Sequence, residues 1–377
     1  MMDSSIILTL PEELRSPRVT MPLSQKSERT FGSHVRLAFA ENPTDYTGEL
    51  VRLMEDIAMA TRMISAGVRG AGLPRNHTSA VKPLESDEAA VTRRPTDARE
   101  FDADIATQIL YRTLYHDGHL CILLSNCHTE PLNLPDNVPF GNYVLTFSAL
   151  ERDPVFPEYS ICGTIFSVYK RISSAGQRGT VEDLLRPGTA QVAAGYVIYG
   201  NAGVLAYTIG RGVHWFSMHP NIKEYFLVEE KVRPGPGKFC FVNRQEEPEW
   251  GEKTKQLIDH MSEAGYSIQY SRSLVSDFHH LLACGGLIAV PKKVDDDNYG
   301  VHYLCTAAPL AYLMEQAGGK AISYKGRLLD VKVSDLHQKS PMFIGTTDAI
   351  DMVDKFLNPP VTPPTPPVTP PQTPLKA

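Results

Sequence analysis

The order of helical and strand-like segments in the second half of the chain constrains the fold more than any other feature. From Lys253 onward, three segments with helical spacing are each followed by a short strand-like run. The pairs are KTKQLIDHMSEAG with YSIQYS, SLVSDFHHLLACGG with LIAVPK, and PLAYLMEQAGG with KAIS. This alternation is typical of an α/β sheet that carries helices on both faces.

The first half has a different order, with two helices ahead of a series of strands. Apolar residues recur at helical spacing in GELVRLMEDIAMATRMISAGV and again over roughly residues 97–115. The strand-like runs that follow are HLCILLS, YVLTF, CGTIFSVYK, AAGYVIYG, VLAYTI and VHWFSM. The sequence therefore predicts an α+β half with a largely mixed sheet over residues 41–231. A smaller α/β half over residues 232–357 begins at the turn-rich VRPGPGK.

The two ends differ from this body. Residues 1–40 mix proline, serine and charged residues without periodicity, which predicts a loosely ordered arm. Residues 358–377 repeat Pro-Pro with valine and threonine, a composition that favours polyproline II and excludes helices and sheet ladders. We expect this segment to be a disordered tail.

Charge and hydropathy exclude several classes of partner. The net charge of −6 provides no basic excess with which to neutralise the phosphates of a nucleic acid or an anionic membrane. No apolar run is long enough to cross a bilayer, and the N-terminus is acidic where a secretory signal is basic. The six cysteines are scattered, as expected of free thiols in a reducing compartment. We expect a cytoplasmic protein without a nucleic-acid or membrane partner.

Several motifs resemble the fructose-1,6-bisphosphatase family. They are AAGYVIYG, SLVSDFHHLLACGGLIAVPKK, PLAYLMEQAGGKAIS, DLHQKSPMFIGTTD and the helix TGELVRLMEDIAMATRMISAGVRGAG. The resemblance covers most of Thr47–Leu357 in order. It implies the layered α-β-α-β-α architecture of sugar phosphatases with two subdomains, and a homo-oligomer, either dimer or tetramer.

Members of that family bind two or three Mg²⁺ ions through carboxylates, and the ions activate water and offset phosphoryl charge. The stretch YVLTFSALERDPVFPEYSICGTIF is predicted to be strand, loop and strand, and its loop corresponds to a metal-binding loop of the family. At the five carboxylate positions this chain has Asn126, Cys127, Ser148, Glu151 and Thr306. Because one carboxylate is left, we expect no metal ion, no other cofactor and no Mg²⁺-dependent phosphatase of the usual kind.

The pocket for the sugar phosphate is changed as well. Asn243 and Tyr270 match family positions that contact the substrate phosphate, whereas Cys284 replaces a tyrosine. Three positions that are cationic in the family read Gln269, Gly300 and His302. A phosphate monoester requires charge-assisted donors, so this neutral pocket indicates a different small-molecule metabolite.

The altered residues define a candidate site. Three of them can transfer protons without a metal and are the predicted catalytic residues: Glu151, His302 and Tyr270. The predicted substrate-binding residues are Asn126, Ser148, Asn243, Arg272, Cys284 and Thr306.

Three functions are compatible with this site. The first is a metal-independent acid/base enzyme, of the isomerisation, dehydration or cyclisation type, in a specialised biosynthetic pathway. The second is a non-catalytic homologue that assembles with an active bisphosphatase and regulates it. The third is a residual sugar-bisphosphate phosphatase in which Glu151, Asp153 and Asp104 regroup around a metal.

Overall fold

The computed structural model describes residues 29–40, 48–70, 102–153, 161–200, 203–296 and 298–358. In these ranges the α-helices are α1 (Phe31–Ala40), α2 (Gly48–Gly70), α3 (Ala103–Leu114), α4 (Val181–Leu184), α5 (Glu252–Glu263), α6 (Leu274–Cys284), α7 (Ala308–Gln316) and α8 (Thr347–Leu357). None of the helices in the described ranges combines the length and hydropathy needed to cross a membrane.

The first half forms a seven-stranded sheet in which the strands follow chain order. They are β1 (Leu120–Ser125), β2 (Tyr143–Glu151), β3 (Cys162–Lys170), β4 (Gln191–Tyr199), β5 (Val204–Thr208), β6 (Val213–Met218) and β7 (Tyr225–Val232). Strands β1 and β2 are parallel, and each later pair is antiparallel. The predicted mixed sheet is therefore confirmed. The sequence did not predict β7, because charged residues interrupt its apolar pattern.

The second half forms a six-stranded sheet of β8 (Phe239–Phe241), β9 (Ser267–Gln269), β10 (Leu287–Val290), β12 (Lys320–Ser323), β13 (Gly326–Arg327) and β15 (Met342–Gly345). The strand order in this sheet is β13-β12-β15-β10-β8-β9. A separate ribbon pairs β11 (Val301–His302) with β14 (Lys339–Ser340). Helices α5, α6 and α7 each precede a strand of the sheet, as the alternation predicted. The placement of a domain boundary at residue 232 stays a prediction.

Buried apolar side chains form three separate clusters, because side chains alternate between the two faces of each strand. On β2, Leu145 packs with α1, α2 and α3, whereas Val144 faces α6 and α7. On β10, Ile288 joins this same middle core, and Leu287 packs with α5 and α8 on the far side. The order is thus helices, sheet, helices, sheet, helices. This confirms the α-β-α-β-α architecture that the sequence predicted.

Helix α1 corrects the prediction of a loosely ordered arm over residues 1–40. Phe31, Val35 and Phe39 recur every four residues and are buried against the first sheet. The Phe31 ring meets the rings of Tyr207 and Phe216 edge-on, at centroid distances of 5.1 and 5.3 Å. The ten-residue helix is too short to stand out among the charged residues that surround it. The rest of the predicted arm, residues 1–28, and the tail from residue 359 lie outside the described residues.

Candidate functional site

The candidate site lies where the parallel strands β1 and β2 end. Carboxyl ends of parallel neighbours open at the same edge of a sheet, which is where α/β proteins handle ligands. Asn126 directly follows β1, and its backbone N–H donates to the carbonyl oxygen of Phe147 on β2 at 3.2 Å. Its side-chain Nδ2 donates to Ser148 Oγ at 3.0 Å. The structure thereby brings together two residues that the sequence placed in one site.

Glu151 joins this pair through a bulge in β2. The predicted loop begins too early, because β2 continues to Glu151, which is paired with Gly163 of β3. The register shifts between Ser148 and Glu151. A bulge changes the alternation of side chains, so residues three apart can meet on one side of a strand. Ser148 Oγ donates to Glu151 Oε2 at 3.4 Å, so hydrogen bonds connect Asn126 to Ser148 and Ser148 to Glu151.

The Glu151 carboxyl has an unusual protonation equilibrium. Burial raises its pKa from 4.5 to about 7, and the hydrogen bond from Ser148 opposes this rise in part. At neutral pH both the acid and the carboxylate are therefore populated. A group with this property can donate or accept a proton during a reaction.

Cys127 lies beside these hydrogen-bonded residues. Its Sγ lies 3.3 Å from Asn126 Oδ1, and its backbone N–H donates to Ser125 Oγ at 3.3 Å. Partial burial and the nearby Asp104 carboxylate raise the pKa of the thiol. The thiolate is therefore disfavoured, and no cation within the described ranges pairs with Cys127 to activate it as a nucleophile.

Thr306 lies in a short π-helix, Tyr303–Ala307, that packs on β2 and β3. Thr146 Oγ1 of β2 donates to the carbonyl oxygen of Leu304 at 2.8 Å, which fixes this turn against the sheet. Thr306 is buried. Its hydroxyl offers one oxygen where the family has a glutamate.

His302 is held in a chain of hydrogen bonds. Its Nδ1 accepts from the backbone N–H of Cys305 at 3.2 Å, so the ring proton of the neutral form is on Nε2. That Nε2 donates to Nδ1 of His337 at 3.2 Å, and His337 Nε2 donates to the carbonyl oxygen of Thr129 at 2.8 Å. Burial, His337 and Lys339 lower the pKa of His302 to about 4. These contacts favour a neutral, structural histidine, and the catalytic role assigned to it stays a prediction.

Tyr270, from the second half, has a side chain that is about half exposed. Partial burial and then the Glu246 carboxylate raise its pKa, and Asp277 and Asp153 act in the same direction. Asp153, two residues after Glu151, thus acts on the Tyr270 hydroxyl electrostatically. A raised pKa keeps the Tyr270 hydroxyl protonated at neutral pH.

Asn243 and Arg272 bind neighbouring protein groups. Asn243 Nδ2 donates to Glu246 Oε1 at 2.9 Å, and its Oδ1 accepts from the N–H of Gln245 at 3.2 Å. Arg272, with a left-handed backbone φ of 63°, donates to Gln245 Oε1 at 3.3 Å. Cys284 ends α6 and is partly buried. The structure does not link Cys284 to Glu151 by any hydrogen bond among the described residues.

Sequence reasoning missed Glu246. Besides Asn243, it accepts from the hydroxyl of Tyr299, and Lys293 Nζ lies 3.9 Å from its Oε2. Its position three residues after Asn243 could have indicated a side chain in the same turn. Glu246 adds negative charge close to two residues that match phosphate-contacting positions of the family.

The donor atoms at the β1–β2 edge do not fit the family's Mg²⁺ ions. Mg²⁺ is bound by oxygen ligands with at least one or two carboxylates. Among Asn126, Ser148 and Glu151 there is one carboxyl group, burial raises its pKa to about 7, and Asn126 directs its amide nitrogen toward Ser148. Nor do three or more His, Cys, Asp or Glu side chains converge on a possible metal position anywhere in the described ranges.

Comparison with known proteins identifies the family. Chains with this layered architecture include the Leishmania major fructose-1,6-bisphosphatase in holo form, with a TM-score of 0.74 and 25% identity over 88% of this chain and 99% of that one. The same protein in its T-state gives a TM-score of 0.73. The fold is therefore that of the sugar phosphatases.

Sequence comparison agrees. The models for the N-terminal and C-terminal domains of fructose-1-6-bisphosphatase match residues 35–230 and 234–358. A fructose-1,6-bisphosphatase class 1 of Chloroherpeton thalassium is 33% identical over 334 residues, covering 87% of this chain and 93% of the relative. One from Chlorobium chlorochromatii is 34% identical over 316 residues, covering 82% and 92%. The chain belongs to the fructose-1,6-bisphosphatase family.

Proposed function

We propose that this member of the family is a metal-independent acid/base enzyme in which Glu151 transfers a proton to or from a small, neutral or weakly acidic metabolite. The observation that carries the proposal is the pair of hydrogen bonds from Asn126 to Ser148 and from Ser148 to Glu151, whose carboxyl has a pKa of about 7. A proton-transfer group is most effective when its pKa lies near the working pH.

The residue types at the family's metal positions support the proposal. The relatives are named fructose-1,6-bisphosphatases, and the family resemblance implies carboxylate-bound Mg²⁺ at this edge of the sheet. In this chain an amide, a hydroxyl and one protonatable carboxyl occupy the edge. A carboxyl with a pKa of about 7 is a weak ligand for a hard cation, because the ion must compete with the proton.

The second proton-transfer group in this proposal is Tyr270. Its hydroxyl is protonated at neutral pH and reachable from solvent, so it can act as an acid while Glu151 acts as the base. His302 does not suit this role, since both ring nitrogens are occupied and its pKa is about 4. The pair suits isomerisation, dehydration or cyclisation, which need a proton removed at one atom and supplied at another.

The negative charge of Glu246 limits which substrates the proposed site can bind. It accepts hydrogen bonds from Asn243 and Tyr299, and it lies near Tyr270. A doubly charged phosphate would meet the like charge of Glu246, which Lys293 at 3.9 Å offsets only in part, and this costs binding energy. The proposed substrate therefore has no phosphate at this end.

Two assays on the full chain test the proposal. Phosphate release from fructose 1,6-bisphosphate with Mg²⁺ or Mn²⁺ is expected to stay at background for the wild type, for Glu151→Gln and for a control, Glu130→Gln. Glu130 is exposed and close in sequence to the site. Release that Glu151→Gln abolishes and Glu130→Gln leaves intact would contradict the proposal and support a rebuilt metal site.

Metabolite profiling after deletion of the gene tests the catalytic role. We expect an unphosphorylated precursor to accumulate, and we expect the wild type and Glu130→Gln to restore the profile. Glu151→Gln should fail to do so, because loss of a general acid or base slows a reaction by about 10²–10⁴-fold. Restoration by Glu151→Gln would contradict a catalytic Glu151.

That last result would support a second candidate, a non-catalytic regulator of an active bisphosphatase. One observation favours it. A cavity of about 920 Å³ is present, but none of its lining residues belongs to the candidate site. Co-purification of the chain with an active bisphosphatase, and a change in that enzyme's rate, would be expected of such a regulator.

A further inference from the structure

The cavity of about 920 Å³ lies at the far end of the first sheet from Glu151. Its walls come from α1, the turn between β5 and β6, the end of β7 and the end of α7. Strands β2 and β6 are four positions apart in the sheet, so the cavity and the candidate site are separated by roughly 20 Å. It is a second, independent region of the molecule.

Cations outnumber carboxylates in this cavity. Four basic side chains line it, Arg29, Arg211, Lys231 and Arg233, against Glu230 and Glu315. The surplus is notable in a chain whose net charge is −6. A concave surface lined by one sign of charge concentrates ligands of the opposite sign.

Both carboxylates are already paired with cations. Glu230 Oε1 accepts from Arg29 at 2.8 Å and lies 3.3 Å from His34 Nε2. Glu315 receives two hydrogen bonds from Arg327, at 2.6 and 3.0 Å. By contrast, no ion pair within the described ranges involves Arg211, Lys231 or Arg233. Among the described residues, the positive charge of these three side chains is therefore not offset by an ion pair.

The backbone fixes where two of these cations lie. Gly212, with φ of 90°, leaves space that Lys231 fills, since Lys231 Cγ would be 3.3 Å from a Cβ at Gly212. Arg233 Nη1 would be 2.2 Å from a Cβ at Gly318, so its guanidinium lies directly over that glycine. The stems of both cations are thus held close to the protein surface rather than extended into solvent.

A buried imidazole provides an independent sign of a ligand. His214 lines the cavity and is 7% exposed, and its Nδ1 has no hydrogen-bond partner among the described residues. Buried polar atoms are rarely left unpaired, and a ligand or ordered water normally satisfies them. Burial and then the neighbouring His34 lower the pKa of His214 to about 4, against the Glu230 carboxylate and a backbone hydrogen bond at Arg211, so the ring is neutral at pH 7. A neutral imidazole can donate Nδ1–H to an anion without holding an extra charge in the interior.

We propose that this cavity binds a small, multiply charged anion that carries phosphate or carboxylate groups, with Arg211, Lys231 and Arg233 as its charge-assisted donors and His214 as a buried donor. Arginine and lysine together suit either kind of anion. The proposal does not depend on the function proposed for Glu151.

Calorimetric titration of the full chain with pyrophosphate and with citrate tests this site, and the tighter ligand identifies the preferred group. The variant that tests it is Arg211→Gln with Lys231→Gln, and the control is Lys355→Gln, an exposed cation on α8. We expect the double variant to weaken binding by about tenfold or more, because it lacks two charge-assisted donors and a factor of ten in affinity corresponds to about 1.4 kcal/mol. The control should bind as the wild type does.

The ring resonances of His214 provide a second measurement. They are expected to shift on saturation with the tighter anion in the wild type and to stay in place in the double variant. Saturable binding that is equal in the double variant and the control would overturn the proposal, as would the absence of saturable binding of either anion to the wild type. Circular dichroism of the variants establishes that their fold is intact.

Discussion

Two carboxyl groups in the first half of the molecule, Asp183 and Glu151, have opposite environments. Asp183 is fully buried, and its oxygens accept three backbone N–H groups, from Ile172 at 2.7 Å, Ser173 at 2.9 Å and Thr180 at 2.8 Å. Burial alone would raise its pKa, but the hydrogen bonds outweigh burial and lower the pKa to about 2. The group is a permanently charged structural anchor.

Glu151 receives much less support. Ser148 is its one side-chain hydrogen-bond donor in the described part of the chain, at 3.4 Å, and its pKa is about 7. The contrast shows that burial does not by itself make a carboxyl structural. The number of donors decides whether the charge is stabilised. A carboxyl with few donors retains lone pairs and a labile proton for a ligand, which distinguishes a site residue from an anchor.

The largest effect is expected at the anchor. Asp183→Asn places an NH₂ group against at least one of the three backbone donors, so a buried N–H loses its acceptor. We expect the free energy of unfolding to fall by about 3 kcal/mol. Urea denaturation at pH 7 measures it, with Asp295→Asn as an exposed control that should change little. A loss of stability no larger than that of the control would contradict the role of Asp183 as an anchor.

The pH dependence of stability should have opposite signs at the two groups. The pKa of Asp183 is lowered in the folded state, so its stabilisation is present above pH 3.8 and is lost as the pH falls toward about 2. The pKa of Glu151 is raised, so the folded state binds the extra proton. The contribution of Glu151 to stability should therefore fall as the pH rises from 4.5 to about 7.

Glu151→Gln removes the pH dependence of stability that Glu151 contributes. We expect the variant to match the wild type near pH 4 and to be more stable by about 1–3 kcal/mol above pH 7. Denaturation of both proteins across this range, with Glu263→Gln as an exposed control, measures the difference. A constant difference at every pH would show that Glu151 is not titrating near neutrality.

The smallest effect is expected from Ser148→Ala. Its hydrogen bond favours the carboxylate form of Glu151, so its removal should raise the pKa of Glu151 somewhat further. The change is visible in a ¹³C titration of the glutamate side chains. A fall in the pKa of Glu151 in this variant would contradict the assigned chain of hydrogen bonds.

The sequence predicted those parts of the fold that depend on local pattern. Helix α2 was predicted from Gly48, where it begins, because its apolar spacing is continuous. The strand CGTIFSVYK is the whole of β3, since β-branched and aromatic residues fill it. The helix expected over residues 97–115 is observed from Ala103, with Asp102 as its N-cap, and its earlier residues lie outside the described ranges.

The site was less predictable, because it depends on pairing between strands. The bulge that brings Ser148 to Glu151 requires β3 as its neighbour, and a Cβ at Gly163 would lie 2.2 Å from the carbonyl oxygen of Val197 on β4. No local pattern in SALER predicts this arrangement. The contact of Asn243 with Glu246 and the occupied ring of His302 likewise arise only in the folded chain. The residue types at the strand ends were readable, but their hydrogen-bond partners were not.

The most direct measurement is the pKa of Glu151 with and without Mg²⁺. Selective ¹³C labelling of the glutamate carboxyls, with Glu151→Gln to assign the resonance, gives the titration in the intact protein. Metal-independent acid/base chemistry predicts a pKa of about 7 that does not move when millimolar Mg²⁺ is added. A pKa near 4.5, or one that falls on addition of Mg²⁺, would show an ionised metal ligand and contradict the proposed function.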